Sequence, residues 1–126
     1  MNYPEVVTQT VENNVLTLQL EVSPQLEAFN GHFDSFPIIP GVVQVQWALH
    51  FFKGSPLYTQ TALPNTAEHD VYCSKMSALK FQQVIPPNSR VTLTLSFDEI
   101  KQCLIFSISD GDTKYSSGKL FLSQRN

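Results

Sequence analysis

The chain has 126 residues, of which 42% are hydrophobic and 15% charged, and its formal net charge is −3. This length and composition fit one globular domain over residues 1–126, with a single core. Its eight Lys and Arg residues are scattered and form no basic stripe, which argues against a nucleic-acid partner. The sequence contains no apolar run of about 18 residues and no signal-peptide pattern, so we expect a soluble cytoplasmic protein without a membrane partner.

Two strand-like segments open the chain, at residues 5–10 and 15–22. Aliphatic and polar side chains alternate along the second segment, which is typical of a strand with one buried face. Asn13 and Asn14 lie between the segments and predict a tight turn. The opening of the chain is therefore predicted to be a β-hairpin.

The segment from 23 to 40 is predicted to be an ordered loop. Pro24, Gly31, Pro37 and Pro40 exclude a long regular element within it. It nevertheless carries six large apolar side chains, which a flexible linker would lack: Leu26, Phe29, Phe33, Phe36, Ile38 and Ile39.

An apolar run follows, from Val42 to Phe52. Pro40 and Gly41 suit the entrance of a helix, and Gly54 suits its end. The run is long for a strand, and its apolar residues occupy nearly every helical face. These features predict a central helix that other structure must cover.

The remainder of the chain is predicted to be β structure. After a polar connection over residues 57–70, four segments have the composition of strands: 71–81, 90–97, 102–109 and 114–122. Pro-, Asn- and Gly-containing turns separate the later segments. A helix followed by such a meander predicts an α+β fold in which a curved antiparallel sheet wraps around a long central helix.

Two stretches of sequence resemble the hotdog-fold 3-hydroxyacyl-acyl carrier protein dehydratases. The first precedes and opens the helix: His32, Phe33, Pro37, Pro40, Gly41 and Val42. The second resembles the strand and turn that follow the helix in that family: Lys80, Phe81, Val84, Ile85 and Pro87. Gln44 and Trp47 are most similar to the small dehydratase-like subgroup found in aryl-polyene gene clusters. The resemblance spans most of the domain and implies the hotdog fold.

The chemistry that this resemblance implies needs a base, an oxyanion donor and an acid. A dehydratase removes a proton next to the thioester carbonyl, stabilises the resulting oxyanion and protonates the departing hydroxyl. His32 is the candidate base, because an imidazole ordinarily titrates near pH 6.5. Gly41 is the candidate oxyanion donor, because its N–H opens the helix and no side chain blocks the approach. The competing interpretations are a merely packed histidine and an ordinary helix-start glycine.

The acid is where the sequence departs from the family. The resemblance implies Asp or Glu at the position fourteen residues after His32, contributed by the partner subunit, and this position is Gln46. An amide can hold a hydroxyl or a water but does not supply a proton as a carboxylic acid does. Glu27 and Asp34 lie near the motif and could replace it, although solvated loop residues are the commoner interpretation. His50 shares a helix face with Gln46 and is either its polar partner or a second candidate base.

We expect the acyl group to contact apolar residues around the motif: Phe33, Phe36, Pro40, Val42 and Trp47. Trp47 is in the first place a core aromatic residue. The expected substrate is a 3-hydroxyacyl group carried on acyl carrier protein or, as the second choice of carrier, on coenzyme A, in fatty acid or polyene-type biosynthesis. No metal and no redox cofactor is expected.

Two alternatives to a dehydratase stay open on sequence grounds. One is an acyl thioesterase of the same superfamily, in which Gln46 would orient an attacking water. The other is a catalytically silent subunit that binds an acyl chain or pairs with a competent partner. In every case we expect a homodimer or a larger assembly, because one sheet with open edges cannot enclose such an apolar helix.

Overall fold

A six-stranded antiparallel sheet and a central helix form the described part of the chain in the computed structural model, which covers residues 2–29, 38–61, 63 and 70–125. The elements run β1 (Glu5–Glu12), β2 (Val15–Val22), a 3₁₀ turn (Glu27–Phe29), α1 (Gly41–Lys53), α2 (Pro56–Thr59), β3 (Asp70–Phe81), β4 (Ser89–Asp98), β5 (Cys103–Asp110) and β6 (Thr113–Arg125). The strand order in the sheet is β1-β2-β4-β5-β6-β3. β2 therefore lies next to one edge of the sheet and β3 forms the other edge, and α1 lies in the connection between these two strands.

The core lies between α1 and the inner face of the sheet. Along β2 every second side chain is buried, as the alternation of the sequence predicts. The central strands and the helix supply fully buried apolar side chains to one cluster, which includes Leu18, Leu93, Leu104, Trp47 and Phe52. Full burial of one such side chain stabilises the fold by about 1.5–3 kcal/mol, so this layer holds the helix against the sheet.

Within the single chain α1 is buried on one side only, so one sheet does not complete the cover that the apolar sequence of the helix predicts. Val42 is 64% exposed, and Gln46 and His50 are also exposed. The sheet of one chain covers only the opposite face of the helix, which carries Trp47 and Phe52. α1 has 13 residues, and within the described ranges no helix is long and apolar enough to cross a bilayer.

The predicted turns are confirmed by the backbone. Asn13 and Asn14 both have positive φ, 52° and 62°, which is the conformation of a type I′ hairpin turn between β1 and β2. Gly111 has a φ of 56° in the turn between β5 and β6. Asn88, in the turn before β4, also has positive φ. Asparagine and glycine tolerate this region better than other residues do.

Two local features were not predicted. The polar connection proposed over 57–70 begins with a short helix, α2, because Pro56 suits a first helical position and Leu57 turns into the core. In β3, Ala78 has a φ of 53° within a register shift between Ser77 and Lys80. This bulge adds one residue to β3 relative to β6.

Candidate functional site

The N-terminus of α1 presents two backbone donors. Pro40 caps the helix in an extended conformation, and its carbonyl accepts bonds from the N–H groups of Val43 and Gln44 at 3.1 and 3.2 Å. Among the described residues, the N–H groups of Gly41 and Val42 have no acceptor. These two groups stand at the positive end of the helix dipole, where an anionic oxygen is stabilised. The predicted donor, Gly41, is thus the first residue of the helix.

The ring of Phe81 packs directly on Gly41. A Cβ atom added at residue 41 would lie 2.9 Å from Cζ of Phe81 and 3.0 Å from its Cε1. These distances are below ordinary van der Waals contact, so any side chain at this position has to displace the ring. Packing against this ring therefore favours glycine, and the same absence of a side chain leaves room for a ligand to approach its N–H.

Gln44 anchors the backbone that enters the helix. It is 3% exposed, and its Nε2 donates to the carbonyl of Ile39 at 3.1 Å. The N–H of Ile39 in turn donates to the carbonyl of Ile85, also at 3.1 Å. Sequence reasoning used Gln44 only to place the chain in a subgroup and missed this role. A polar residue on a buried helix face was the signal that could have revealed it.

Gln46 lies at a surface cleft of about 310 Å³ beside the exposed face of α1. The cleft is lined by residues of the N-terminal segment, the 3₁₀ turn and the helix: Asn2, Tyr3, Glu27, Ala28, Val43, Gln46 and Trp47. Trp47 is fully buried, and its indole N–H has no partner among the described residues. The structure thus places Gln46 and Trp47 at one cleft, together with Glu27.

His50 stacks on Tyr3 instead of pairing with Gln46. The two rings are 3.6 Å apart between centroids and 6° from parallel, and Phe51 meets both rings edge-on. No hydrogen bond joins His50 to Gln46 in this part of the described chain, so the expected polar pair is not formed. Partial burial lowers the pKa of His50 below its usual value near 6.5.

Of the other residues predicted for the site, His32, Phe33, Asp34 and Phe36 lie outside the described residues. Pro40, Gly41 and Val42 are grouped at the entrance of α1. Val42 does not line the cleft of Gln46 and is directed to solvent. The described site therefore has two parts, the donors at the helix entrance and the cleft beside Gln46.

Comparison with known proteins identifies the family. Residues 8–119 match the ApeI-like family, described as ApeI dehydratase. The 3-hydroxyacyl-[acyl-carrier-protein] dehydratase FabZ of Oenococcus oeni is 24% identical over 120 residues, which are 92% of this chain and 84% of that protein.

Two solved structures have the same fold along nearly their whole length. The dehydratase heterocomplex ApeI:P from Xenorhabdus doucetiae superposes with a TM-score of 0.76 at 27% identity, covering 94% of this chain and 96% of that one. An uncharacterized protein from Erwinia carotovora subsp. atroseptica gives a TM-score of 0.75 at 31% identity, covering 95% of each chain. The expected hotdog fold and the predicted subgroup are thereby confirmed, and the chain belongs to the ApeI-like family of dehydratases.

Proposed function

We propose that this chain is a lyase that dehydrates 3-hydroxyacyl thioesters carried on acyl carrier protein, in fatty acid or polyene-type biosynthesis. Membership of the ApeI-like family supports the reaction type. The observation that carries the proposal is the pair of N–H groups of Gly41 and Val42 at the start of α1, for which the described part of the chain supplies no acceptor. Such donors stabilise the negative charge that develops on a thioester oxygen when the neighbouring carbon loses its proton.

In this proposal His32 is the base that removes the proton from C2 of the acyl group. The N–H of Gly41 donates to the thioester oxygen, with the helix dipole adding to the stabilisation. Gln46 holds the 3-hydroxyl group through its amide, which donates and accepts hydrogen bonds. The apolar contacts to the acyl chain are assigned to the residues expected from the sequence: Phe33, Phe36, Pro40, Val42 and Trp47.

We also propose a homodimer, formed at the β3 edge of the sheet. Among the described residues β3 is paired with β6 alone, which makes it an edge strand that can accept another strand. Large apolar side chains are exposed along and beside this strand: Val42, Met76, Leu79, Phe81 and Val84. Pairing there would cover both the edge and part of the exposed helix entrance.

The function is tested with the purified chain and acyl carrier protein loaded with either a 3-hydroxyacyl or a 2-enoyl group, and with the matching coenzyme A thioesters. A dehydratase interconverts the two acyl groups without releasing thiol. Release of free thiol would instead assign the thioesterase alternative. His32→Asn is expected to lower the interconversion rate by about 100- to 10,000-fold. Loss of activity in His50→Asn with retention in His32→Asn would move the base to His50.

A second candidate function is a subunit that becomes active only with a partner. Gln46 favours it, because the position lacks the acid that the reaction needs. The similarity to a protein of a dehydratase heterocomplex supports the same idea. Activity that is absent in the isolated chain and appears on addition of a related hotdog subunit would establish this function.

A further inference from the structure

We infer that Glu27 is the proton donor that compensates for Gln46, an inference that rests on the proposed dehydration. The helix cannot supply the acid itself, because α1 contains no Asp or Glu from Gly41 to Lys53. A carboxyl group must therefore reach the departing hydroxyl from another element. The sequence identified two loop carboxylates near the motif, Glu27 and Asp34, but did not predict where either lies relative to Gln46.

The structure puts Glu27 at the cleft that Gln46 lines. It is the one carboxyl among the described residues that form this cleft. Val43, Ala28 and Trp47 supply apolar wall to the same space. A hydroxyl group in the cleft would thus have two amide residues, Asn2 and Gln46, and the acidic residue Glu27 around it, with apolar surface for the neighbouring methylene groups.

The backbone that carries Glu27 is held on both sides. Leu26 is fully buried and Phe29 is 8% exposed, so each is inserted into the core. The N–H of Leu26 donates to the carbonyl of Ser23 at 3.2 Å, and the N–H of Phe29 donates to that of Leu26 at 3.1 Å. The 3₁₀ turn that places Glu27 at the cleft is therefore fixed to the core.

Glu27 acts as the acid in the proposed step. A protonated Glu27 beside the 3-hydroxyl can donate to it, while the amide of Gln46 keeps the hydroxyl oriented.

His32 takes the proton from C2, the electrons of that C–H bond form the C2–C3 double bond, and the C3–O bond breaks. The leaving oxygen takes the proton of Glu27 and departs as water, giving a 2-enoyl thioester. His32 is left protonated and Glu27 ionised, and solvent exchange returns both to their starting states.

The test compares four chains on a 3-hydroxyacyl thioester: the wild type, Glu27→Gln, Gln46→Glu and the double variant. Glu27→Gln is expected to lower kcat by about 100- to 10,000-fold, with a smaller effect on KM, and to remove the loss of activity at high pH that an acid produces. Gln46→Glu in the Glu27→Gln background should restore activity, because it returns a carboxyl to the same cleft. The matched control is Glu12→Gln, an exposed residue of β1, which should behave as the wild type.

An active wild type with an equally active Glu27→Gln variant overturns the inference and leaves the proposed function intact. A wild type without any turnover overturns the proton-transfer step together with the proposed function. In that case, binding of a non-reactive 3-hydroxyacyl pantetheine amide is compared with binding of its 3-deoxy analogue. If the wild type prefers the 3-hydroxy compound and Glu27→Gln does not, Glu27 is still assigned to the site that binds the hydroxyl group. If the variant keeps the preference, Glu27 is not part of that site.

Discussion

The aromatic ring of Phe81, the last residue of β3, lies on the Cα atom of Gly41, the first residue of α1. A methyl group at residue 41 would come within 2.9 Å of the ring. The edge strand and the helix entrance therefore share one packing contact, at the point where the proposed oxyanion donor stands. A substitution at either of these two residues is therefore expected to alter the packing of the other.

Gly41→Ala is expected to destabilise the fold by about 1 kcal/mol, at the low end of overpacking effects. The effect is modest because Phe81 is 48% exposed and its ring can move aside. In the double variant Gly41→Ala/Phe81→Ala the clash is absent, so the glycine substitution should cost less there. Urea unfolding of the four chains of this cycle measures the coupling. Additive free energies would show that the contact carries no strain in the variant.

Met76→Asp is expected to convert the proposed dimer to a monomer. The side chain is 48% exposed on the β3 edge, and a dimer at this edge would have to bury the introduced charge without a partner. Val7→Asp is the matched control, because Val7 is similarly exposed, at 43%, on the opposite edge strand β1. Light scattering of the three chains at equal concentration measures the mass. A Met76→Asp dimer, or a Val7→Asp monomer, would contradict the proposed interface.

His50 is expected to make stability fall as the solution is acidified. Burial lowers its folded-state pKa below the unfolded value near 6.5, so the unfolded chain binds a proton first. The contribution is complete above about pH 6.5, decreases as pH falls from there through the folded pKa, and is constant below it. Chemical shifts of the His50 ring measured across this range give the folded pKa directly.

Removal of the stacked ring tests the cause of that shift. Tyr3→Ala exposes the face of His50 that Tyr3 covers, so the pKa of His50 should rise toward its ordinary value. Phe51→Leu keeps the stack and serves as the comparison. A His50 pKa that does not move in Tyr3→Ala would place the desolvation elsewhere on the helix.

Gly118→Ala is expected to destabilise the sheet by about 1–3 kcal/mol through overpacking. An added Cβ would overlap the Cδ2 atom of Leu79 and lie 3.0 Å from Cε1 of the buried Phe106. Gly54→Ala is the matched control, because its Cβ would meet only the carbonyl of His50, at 3.6 Å. Thermal unfolding distinguishes the two variants. Equal stabilities of these variants would mean that Leu79 moves away without cost.

Periodicity and turn chemistry were sufficient for most of the fold. The β2 strand lies where the alternation predicted it, and Pro40 and Gly41 do open the helix. Both are local signals, which depend on neighbouring residues only. The bulge at Ala78 left no such signal, because a positive φ at alanine depends on the packing of β3 against β6.

The candidate site was harder to predict for the same reason. The motif around Gly41 is contiguous and could be recognised, whereas the contact with Phe81 joins residues forty positions apart in the chain. The shared cleft of Glu27 and Gln46 depends on how the 3₁₀ turn sits beside α1. The sequence identified Glu27 as a candidate acid but could not predict that it lies at the same cleft as Gln46.

The hydrogen bond from Ile39 to the carbonyl of Ile85 ties the approach to the helix to the stretch that follows β3. Both residues are buried, and Gln44 holds Ile39 from the other side. Opening of the first helical turn therefore also requires the hydrogen bond between Ile39 and Ile85 to break. The two segments are thus expected to open as one cooperative unit in the native state. The helix end that carries the proposed oxyanion donor is thus held in place by a segment more than thirty residues later in the sequence.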